Sequence, residues 1–110
     1  MRKTIYILGT IILFNNCSKP SKACFNFSPN ENISTQIPIL FDATCSKNAS
    51  YYTWDFGDGT TENSTLGTNT ITHSYSVTGT YKITLIAKRK DGVTLRKNNT
   101  YSISKTINVQ

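Results

Sequence analysis

Large apolar side chains alternate with polar ones along most of the chain after residue 22, and this spacing predicts β-strands. The clearest case is the run Tyr81, Ile83, Leu85 and Ala87, in which every second side chain is apolar. Because the side chains of a strand point to opposite faces in turn, such a run buries one face and exposes the other. The same alternation occurs in residues 23–27, 37–43, 52–56 and 101–109.

Turn-forming residues separate these runs and set the number of strands. Gly57-Asp58-Gly59 ends one run, Lys90-Asp91-Gly92 is a hairpin signal, and residues 60–70 are polar enough for a loop with a short edge strand. Pro38 marks either an edge strand or the start of a strand. No segment shows the period of a helix. About seven short antiparallel strands in this length predict an all-β domain with the architecture of a β-sandwich.

The first 16 residues have the pattern of an export signal. Arg2 and Lys3 precede an apolar run over residues 5–14, which is shorter than the roughly 20 residues that a membrane-spanning helix needs. Cys17 follows this run after Asn15 and Asn16 and resembles the lipidated cysteine of bacterial lipoproteins. That resemblance implies removal of residues 1–16, a lipidated Cys17 with a tether over residues 17–22, and a domain over residues 23–110. The alternative is an ordinary secretory signal peptide that is cleaved nearby.

The cysteine count points to one disulfide. Three cysteines leave an odd one in an exported protein. If Cys17 carries lipid, Cys24 and Cys45 are left as a pair, and export would place them where disulfides persist. The alternative is two buried free thiols. No histidine or third cysteine stands at metal-ligand spacing, so we expect no metal and no cofactor.

The chain is basic, but only mildly so once the signal is removed. Its net charge is +6, and without residues 1–16 the ten basic and six acidic side chains give +4. An excess of this size does not by itself indicate a nucleic-acid partner, which an exported chain would rarely meet. We therefore expect no nucleic acid among the partners.

Asp55 and Asp58 are the strongest candidates for chemistry, since they lie close together in Trp54-Asp-Phe-Gly-Asp-Gly59. A catalytic acid–base pair would need both carboxylates to face a cleft, and calcium would need about six to eight oxygens. A turn explains more of the stretch, because alternation aims Asp55 away from the core and Asp58 lies between two glycines suited to positive φ. We interpret it as a structural turn, with calcium and then catalysis as alternatives.

Four segments, in order, closely resemble the PKD domain (the polycystic-kidney-disease repeat) over roughly residues 22–110. They are Phe41-Asp-Ala-Thr-Cys-Ser46, Tyr52-Thr-Trp-Asp-Phe-Gly-Asp-Gly59, His73-Ser-Tyr75 and Gly79-Thr-Tyr-Lys-Ile-Thr-Leu85. The resemblance implies an immunoglobulin-like β-sandwich of the kind found in secreted and cell-surface proteins. The residues to which it assigns a structural role are Trp54, Asp55, Gly57, Asp58, Gly59, His73, Tyr75, Gly79 and Tyr81. Cys24, Cys45 and the basic residues 88–90 depart from the family pattern.

Three residues of this motif also have a possible functional interpretation. The resemblance implies that His73 lies near the start of a strand beside Tyr75, where a hydrogen-bonded structural role is favoured over a catalytic base. It also implies that Tyr75 holds a backbone corner, as in other immunoglobulin-like folds. The alternation of Trp54 with Tyr52 and Phe56 places its ring in the core rather than on the surface against a sugar.

Two surface features are candidates for binding. Tyr51 faces the opposite way from Tyr52, so its ring is available for stacking on a sugar. Positive charge lies on both arms of the predicted hairpin, on Lys88, Arg89, Lys90, Arg96 and Lys97. The favoured interpretation is a solvated hairpin whose charge discourages pairing between sheet edges. The alternative is contact with an anionic glycan, phosphate head groups or an acidic partner.

These features predict a non-catalytic module rather than an enzyme. We expect a protein anchored by its N-terminal lipid to the bacterial outer membrane, on the periplasmic or cell-surface face. It would bind a protein partner through loops 60–70 and 88–97, because loops carry binding on sandwiches. The alternative is a carbohydrate-binding module for extracellular or envelope polysaccharide, since PKD domains often accompany polysaccharide-degrading modules. A spacer is a further alternative, although spacers usually occur in arrays.

Overall fold

The computed structural model describes residues 21–89 and 101–110, and within these ranges the regular structure is entirely β-strand. The seven strands pair antiparallel throughout. This confirms the predicted all-β fold. The strands are β1 (Asn26–Ser28), β2 (Ile39–Asp42), β3 (Tyr51–Asp55), β4 (Thr61–Asn63), β5 (Thr70–His73), β6 (Gly79–Lys88) and β7 (Ser102–Val109).

The strands form two sheets that pack face to face. One sheet has three strands in the order β1-β2-β5, and the other has four in the order β4-β3-β6-β7. The short edge strand predicted within residues 60–70 is β4. Strands β6 and β7 pair from Gly79 opposite Val109 to Ile86 opposite Ser102. The hairpin turn predicted at Lys90-Asp91-Gly92 lies outside the described residues.

Aromatic rings from both sheets meet in the core. Trp54 of β3 is only 1% exposed, and its ring lies edge-on to Phe25 at 5.3 Å between centroids. Phe41 of β2 packs against Trp54 at 5.7 Å and against Phe56 at 5.3 Å. Full burial of one large apolar side chain stabilises a fold by roughly 1.5–3 kcal/mol. The apolar side chains that alternate along the sequence are therefore the ones that pack between the two sheets.

A disulfide joins the chain before β1 to the chain after β2. Cys24 and Cys45 are bonded, with their Cα atoms 5.4 Å apart. The predicted pairing is confirmed, and the alternative of two free thiols is wrong. In the chain-entropy account, closing a loop of this length stabilises the fold by about 3 kcal/mol.

The fold begins earlier in the chain than the predicted boundary at residue 23. Ser21 is 1% exposed, and its hydroxyl donates to the carbonyl oxygen of Asn48 at 3.1 Å. Lys22 exchanges two backbone hydrogen bonds of 2.9 Å with Lys47. The last two residues of the predicted tether are thus part of the domain. The predicted signal segment and Cys17 lie outside the described residues.

The second alternating run is shorter than its pattern suggested. Ile37 is 48% exposed, although its spacing matched the buried Ile39 and Phe41. Strand β2 starts directly after Pro38, which has no N–H to donate to a ladder. The strand-start interpretation of Pro38 is therefore correct, and β2 lies in the middle of its sheet rather than at an edge.

Candidate functional site

The stretch from Asp55 to Thr60 connects β3 to β4 in a loop that is closed by its own hydrogen bonds. Asp55 Oδ1 accepts a hydrogen bond of 3.0 Å from the backbone N–H of Gly57. Asp58 Oδ1 accepts two bonds from Thr60, one of 3.1 Å from its N–H and one of 2.6 Å from its hydroxyl. Each carboxylate therefore satisfies donors of the loop itself, which is the arrangement of an Asx-type turn.

Both glycines of the loop have a backbone conformation that other residues rarely adopt. The φ angle is 83° at Gly57 and 94° at Gly59. Gly57 also lies against β6, where a Cβ would come within 2.6 Å of the Lys82 carbonyl oxygen. Gly59 has open space around the same position. Gly57 is therefore required for two reasons, conformation and close approach, and Gly59 for one.

His73 links this loop to the opposite sheet. It is the last residue of β5, not near the start of a strand as the resemblance implied. Its Nε2 lies 2.8 Å from Asp58 Oδ2, and its ring stacks on Phe56 at 4.0 Å with an interplanar angle of 4°. The contact of imidazole, carboxylate and phenyl ring holds the β3–β4 loop against the three-stranded sheet.

The carboxylate of this contact is stabilised in its charged form. Partial burial raises the pKa of Asp58, but the hydrogen bonds from Thr60 and His73 outweigh burial and hold the pKa below its usual range. The two side chains are 22% and 14% exposed for Asp58 and His73. Asp55 turns to Gly57 instead and has no hydrogen bond to the imidazole, so the two carboxylates do not converge on His73.

Two tyrosines add to the contacts around the β3–β4 loop. Tyr75 is 1% exposed, and its hydroxyl donates to the carbonyl oxygen of Phe56 at 2.7 Å. Burial, followed by the nearby charge of Asp58, raises the pKa of Tyr75. Tyr81 stacks on Tyr75 at 4.1 Å and donates to the carbonyl oxygen of Val77 at 2.5 Å. The short-range corner at the start of a strand therefore belongs to Tyr81, while Tyr75 reaches across to the β3–β4 loop.

Tyr51 and Lys88, two of the residues predicted for binding, lie at the other end of the four-stranded sheet. Tyr51 begins β3, is half-buried, and lies directly opposite Lys88 at the end of β6. The backbone N–H of Ser50 donates to the Lys88 carbonyl at 2.8 Å, and Gly67 N–H donates to the Ser50 carbonyl at 3.2 Å. The loop between β4 and β5 is thereby brought to the same end as Tyr51 and Lys88.

Leu66 is the residue at this end that the sequence reasoning missed. It is 52% exposed and precedes Gly67, which is bonded to Ser50. Its signal in the sequence was a single large apolar side chain within the polar stretch 60–70. We call Tyr51, Leu66 and Lys88 the Tyr51 surface. Arg89 follows it as a half-buried residue, and Lys90, Arg96 and Lys97 lie outside the described residues.

Within residues 21–89 and 101–110, no group of three or more His, Cys, Asp or Glu side chains is placed to hold a metal ion. In the same part of the chain, no helix is long and apolar enough to cross a membrane.

Comparison with known proteins identifies the family. The family model described as PKD domain matches residues 23–104, and the chain belongs to this family. The PKD1 domain of the Vibrio cholerae metalloprotease PrtV has a TM-score of 0.60 at 23% identity, covering 84% of this chain and 99% of that one. The PKD1 domain of Vibrio anguillarum Epp has a TM-score of 0.59 at 19% identity, with coverage of 84% and 95%. These two likenesses show the fold.

A third structure is more similar in sequence. It is described as a carbohydrate-binding module of promiscuous specificity from the β-sandwich superfamily, and it shares 38% identity with a TM-score of 0.70. The match covers 84% of this chain, but this chain spans 35% of that one. A comparison with curated proteins found no significant match.

Proposed function

We propose that this PKD domain is a non-catalytic interaction module of the bacterial envelope, which binds a protein partner through the Tyr51 surface. The observation that carries the proposal is the convergence of Tyr51, Leu66 and Lys88 at one end of the four-stranded sheet. Tyr51 is a tyrosine, a residue type enriched at protein interfaces, and Leu66 is an exposed apolar residue of the loop that is bonded to the same end of the sheet.

The use of the motif residues supports a role by contact. Asp55 and Asp58 accept hydrogen bonds from the β3–β4 loop, and Asp58 also bonds His73. Tyr75 and Trp54 are buried in the core. The side chains most suited to acid–base chemistry therefore stabilise the sandwich, and binding is assigned to the loops at its other end.

Photo-crosslinking in cells tests this surface. A photoreactive amino acid replaces Leu66 in one strain and Val77 in another, since Val77 is 63% exposed but lies near Gly79 at the opposite end of β6. We expect a discrete adduct with one protein from position 66 and none from position 77. Equal adducts at both positions, or an adduct only at 77, would contradict the proposal.

Anchoring by lipid at Cys17 is a separate part of the proposal, supported by the resemblance of the N-terminal segment to a lipoprotein signal. The protein is labelled in cells with a clickable fatty acid and then fractionated. We expect the native chain to take up label and to sediment with membranes, and Cys17→Ala to do neither. Label on Cys17→Ala, or unchanged membrane association of this variant, would contradict the lipid anchor. It would leave the proposal of the Tyr51 surface unaffected.

A second candidate function is carbohydrate binding, favoured by the 38% identity to a carbohydrate-binding module structure. In this alternative, the half-buried ring of Tyr51 stacks on a sugar and Leu66 borders the site. A glycan array probed with the native protein and with Tyr51→Ala distinguishes the two: binding that needs Tyr51 would favour the sugar over the protein partner.

A further inference from the structure

The chain enters the domain at the end of the sandwich that carries the Tyr51 surface. The Ser21 hydroxyl donates to the carbonyl oxygen of Asn48 at 3.1 Å. Asn48 lies two residues before Ser50, whose backbone N–H donates to the Lys88 carbonyl at 2.8 Å. We call this end of the sandwich, where Ser21, Asn48 and Lys88 lie, the entry end.

Basic side chains surround the entry end. Lys22 and Lys47 are exposed, and they are held side by side by two backbone hydrogen bonds of 2.9 Å between them. Lys88 ends β6 at the same end, and Arg89 follows it. Among the described residues, Asp42 at the end of β2 is the single acidic side chain here. The entry end therefore carries a net positive charge.

The rest of the described chain has the opposite balance, with four acidic and two basic side chains. Two of the acidic ones border the β3–β4 loop at the far end of the sandwich. The charge of the domain is therefore polarised along its length. The acidic residues are Glu31, Asp55, Asp58 and Glu62, and the basic ones are Lys82 and Lys105.

The proposed lipid anchor would hold the positive end, and not the acidic end, at the membrane. Ser21 follows Cys17 by four residues, a length of chain that spans at most about 14 Å when fully extended. The potential of an anionic membrane reaches about 10 Å from its surface at moderate salt. The basic side chains of the entry end are thus kept within reach of the head groups.

We propose that the entry end docks on an anionic phospholipid surface through Lys22, Lys47 and Lys88, with the acidic far end turned away. The proposal rests on the lipid anchor proposed above. Docking places the Tyr51 surface beside the head groups, so a protein partner of that surface would lie in or at the same membrane.

The placement of the lysines favours a broad surface as the ligand over a pocket ligand. Lys22 precedes β1 and Lys47 follows β2 of one sheet, whereas Lys88 belongs to the other sheet. The positive charge is therefore spread across the whole end of the sandwich. Each basic side chain near an anionic membrane strengthens attachment roughly fivefold, so a few such side chains are enough to orient a tethered domain.

Amide NMR of the native protein, purified from cell membranes and placed in nanodiscs, tests the docking. One set of discs contains only neutral phosphatidylcholine and the other also contains phosphatidylglycerol, and both contain a trace of lipid with a paramagnetic head group. We expect the amide signals of Lys47 and Lys88 to broaden more in the anionic discs, and those of Gly57 and Val77 to remain sharp in both. Added salt should reduce the difference.

A pair of matched charge reversals locates the docking surface. Lys47→Glu should shift the equilibrium towards the undocked state by roughly tenfold or more in anionic discs. Lys82→Glu is the control, since Lys82 is exposed on β6 but lies outside the entry end. We expect it to dock as the native protein does.

The outcomes separate this docking from the lipid anchor. Retention on both kinds of disc with identical broadening would overturn the docking and leave the anchor standing. Equal broadening at the far end, or an equal loss in Lys47→Glu and Lys82→Glu, would also overturn it. Charge-dependent broadening of a protein that neutral discs do not retain would support the docking and contradict the anchor.

Discussion

Single residues of the β3–β4 loop explain why the PKD motif has glycine and aspartate at these positions. Gly57 and Gly59 both have positive φ, but only at Gly57 does a backbone atom of the neighbouring strand occupy the place of a Cβ. Asp58 divides its two oxygens between Thr60 within the loop and His73 on the other sheet. At this scale the motif is a set of contacts that hold a loop in one shape.

The two glycines should therefore differ in their cost of substitution. We expect Gly57→Ala to lower the free energy of unfolding by roughly 2–3 kcal/mol, because strain of the backbone adds to a collision with Lys82. Gly59→Ala should cost only about 1 kcal/mol, from the backbone conformation alone. Denaturant unfolding of both variants measures this. Equal losses would show that the close approach to β6 does not matter.

Asp58 gives the fold an acid-sensitive element. Because hydrogen bonds depress its pKa in the folded protein, its contribution to stability is present above the unfolded value of about 4 and is lost as pH falls through the folded value. We expect the free energy of unfolding to decrease as pH is lowered below about 4, with a smaller decrease in Asp58→Asn.

Denaturant unfolding at neutral pH and at acid pH, in both proteins, measures that difference. A residual acid loss in Asp58→Asn is expected, since the backbone hydrogen bond from Thr44 also lowers the pKa of Asp42. An acid loss as large in the variant as in the native chain would contradict the role given to the Asp58–His73 contact.

Among the elements, β7 is the one that needs protection, because it is a long strand at the edge of its sheet. Alternation along β7 places Lys105 on the inward face of the strand, where an apolar residue would be expected. Its Nζ donates to the Phe25 carbonyl at 2.6 Å and lies 5.0 Å from the centre of the Phe25 ring. A charge turned inward on an edge strand is a known device against pairing with a second sheet.

Lys105→Met should therefore have two effects. It leaves the Phe25 carbonyl without this donor, at a cost of roughly 1–3 kcal/mol, and it removes the charge that discourages edge pairing. We expect a lower unfolding free energy and more self-association as concentration rises, measured by denaturation and light scattering. Lys82→Met on the exposed face of β6 is the control, and equal behaviour of the two variants would refute this role.

Sequence patterns predicted the elements better than the places where elements meet. Alternation located β3 and β6, whose register partners Trp54 and Leu85 lie side by side on the buried face of the same sheet. It failed at Ile37, where the ladder starts only after Pro38. The disulfide joins the two cysteines that the count leaves when Cys17 is set aside as the expected lipidation site. The burial of Ser21 depends on Asn48, a contact that no local pattern encodes.

The candidate sites were the least predictable part for the same physical reason. Tyr51 was named from alternation, but its proximity to Leu66 depends on a backbone bond between Gly67 and Ser50. A cleft is lined by residues 30–33 and by the end of β7, two segments that are far apart in the sequence. Such surfaces arise only once the sheets have formed.

In the whole molecule, the two ends of the sandwich differ in role. At one end, the β3–β4 loop, His73 and the two tyrosines brace the sheets. At the other end, Tyr51, Leu66 and Lys88 form a surface whose side chains are at least partly accessible. We expect binding to take place at this second end.

The most direct measurement of that claim is the affinity of the crosslinked partner for matched surface variants. We expect Tyr51→Ala combined with Leu66→Ser to weaken binding roughly 30-fold or more, as loss of interface anchors does, while the melting temperature stays close to that of the native chain. Val77→Ser should bind as the native protein does. Unchanged affinity in the Tyr51/Leu66 variant, or an equal loss in Val77→Ser, would contradict the account.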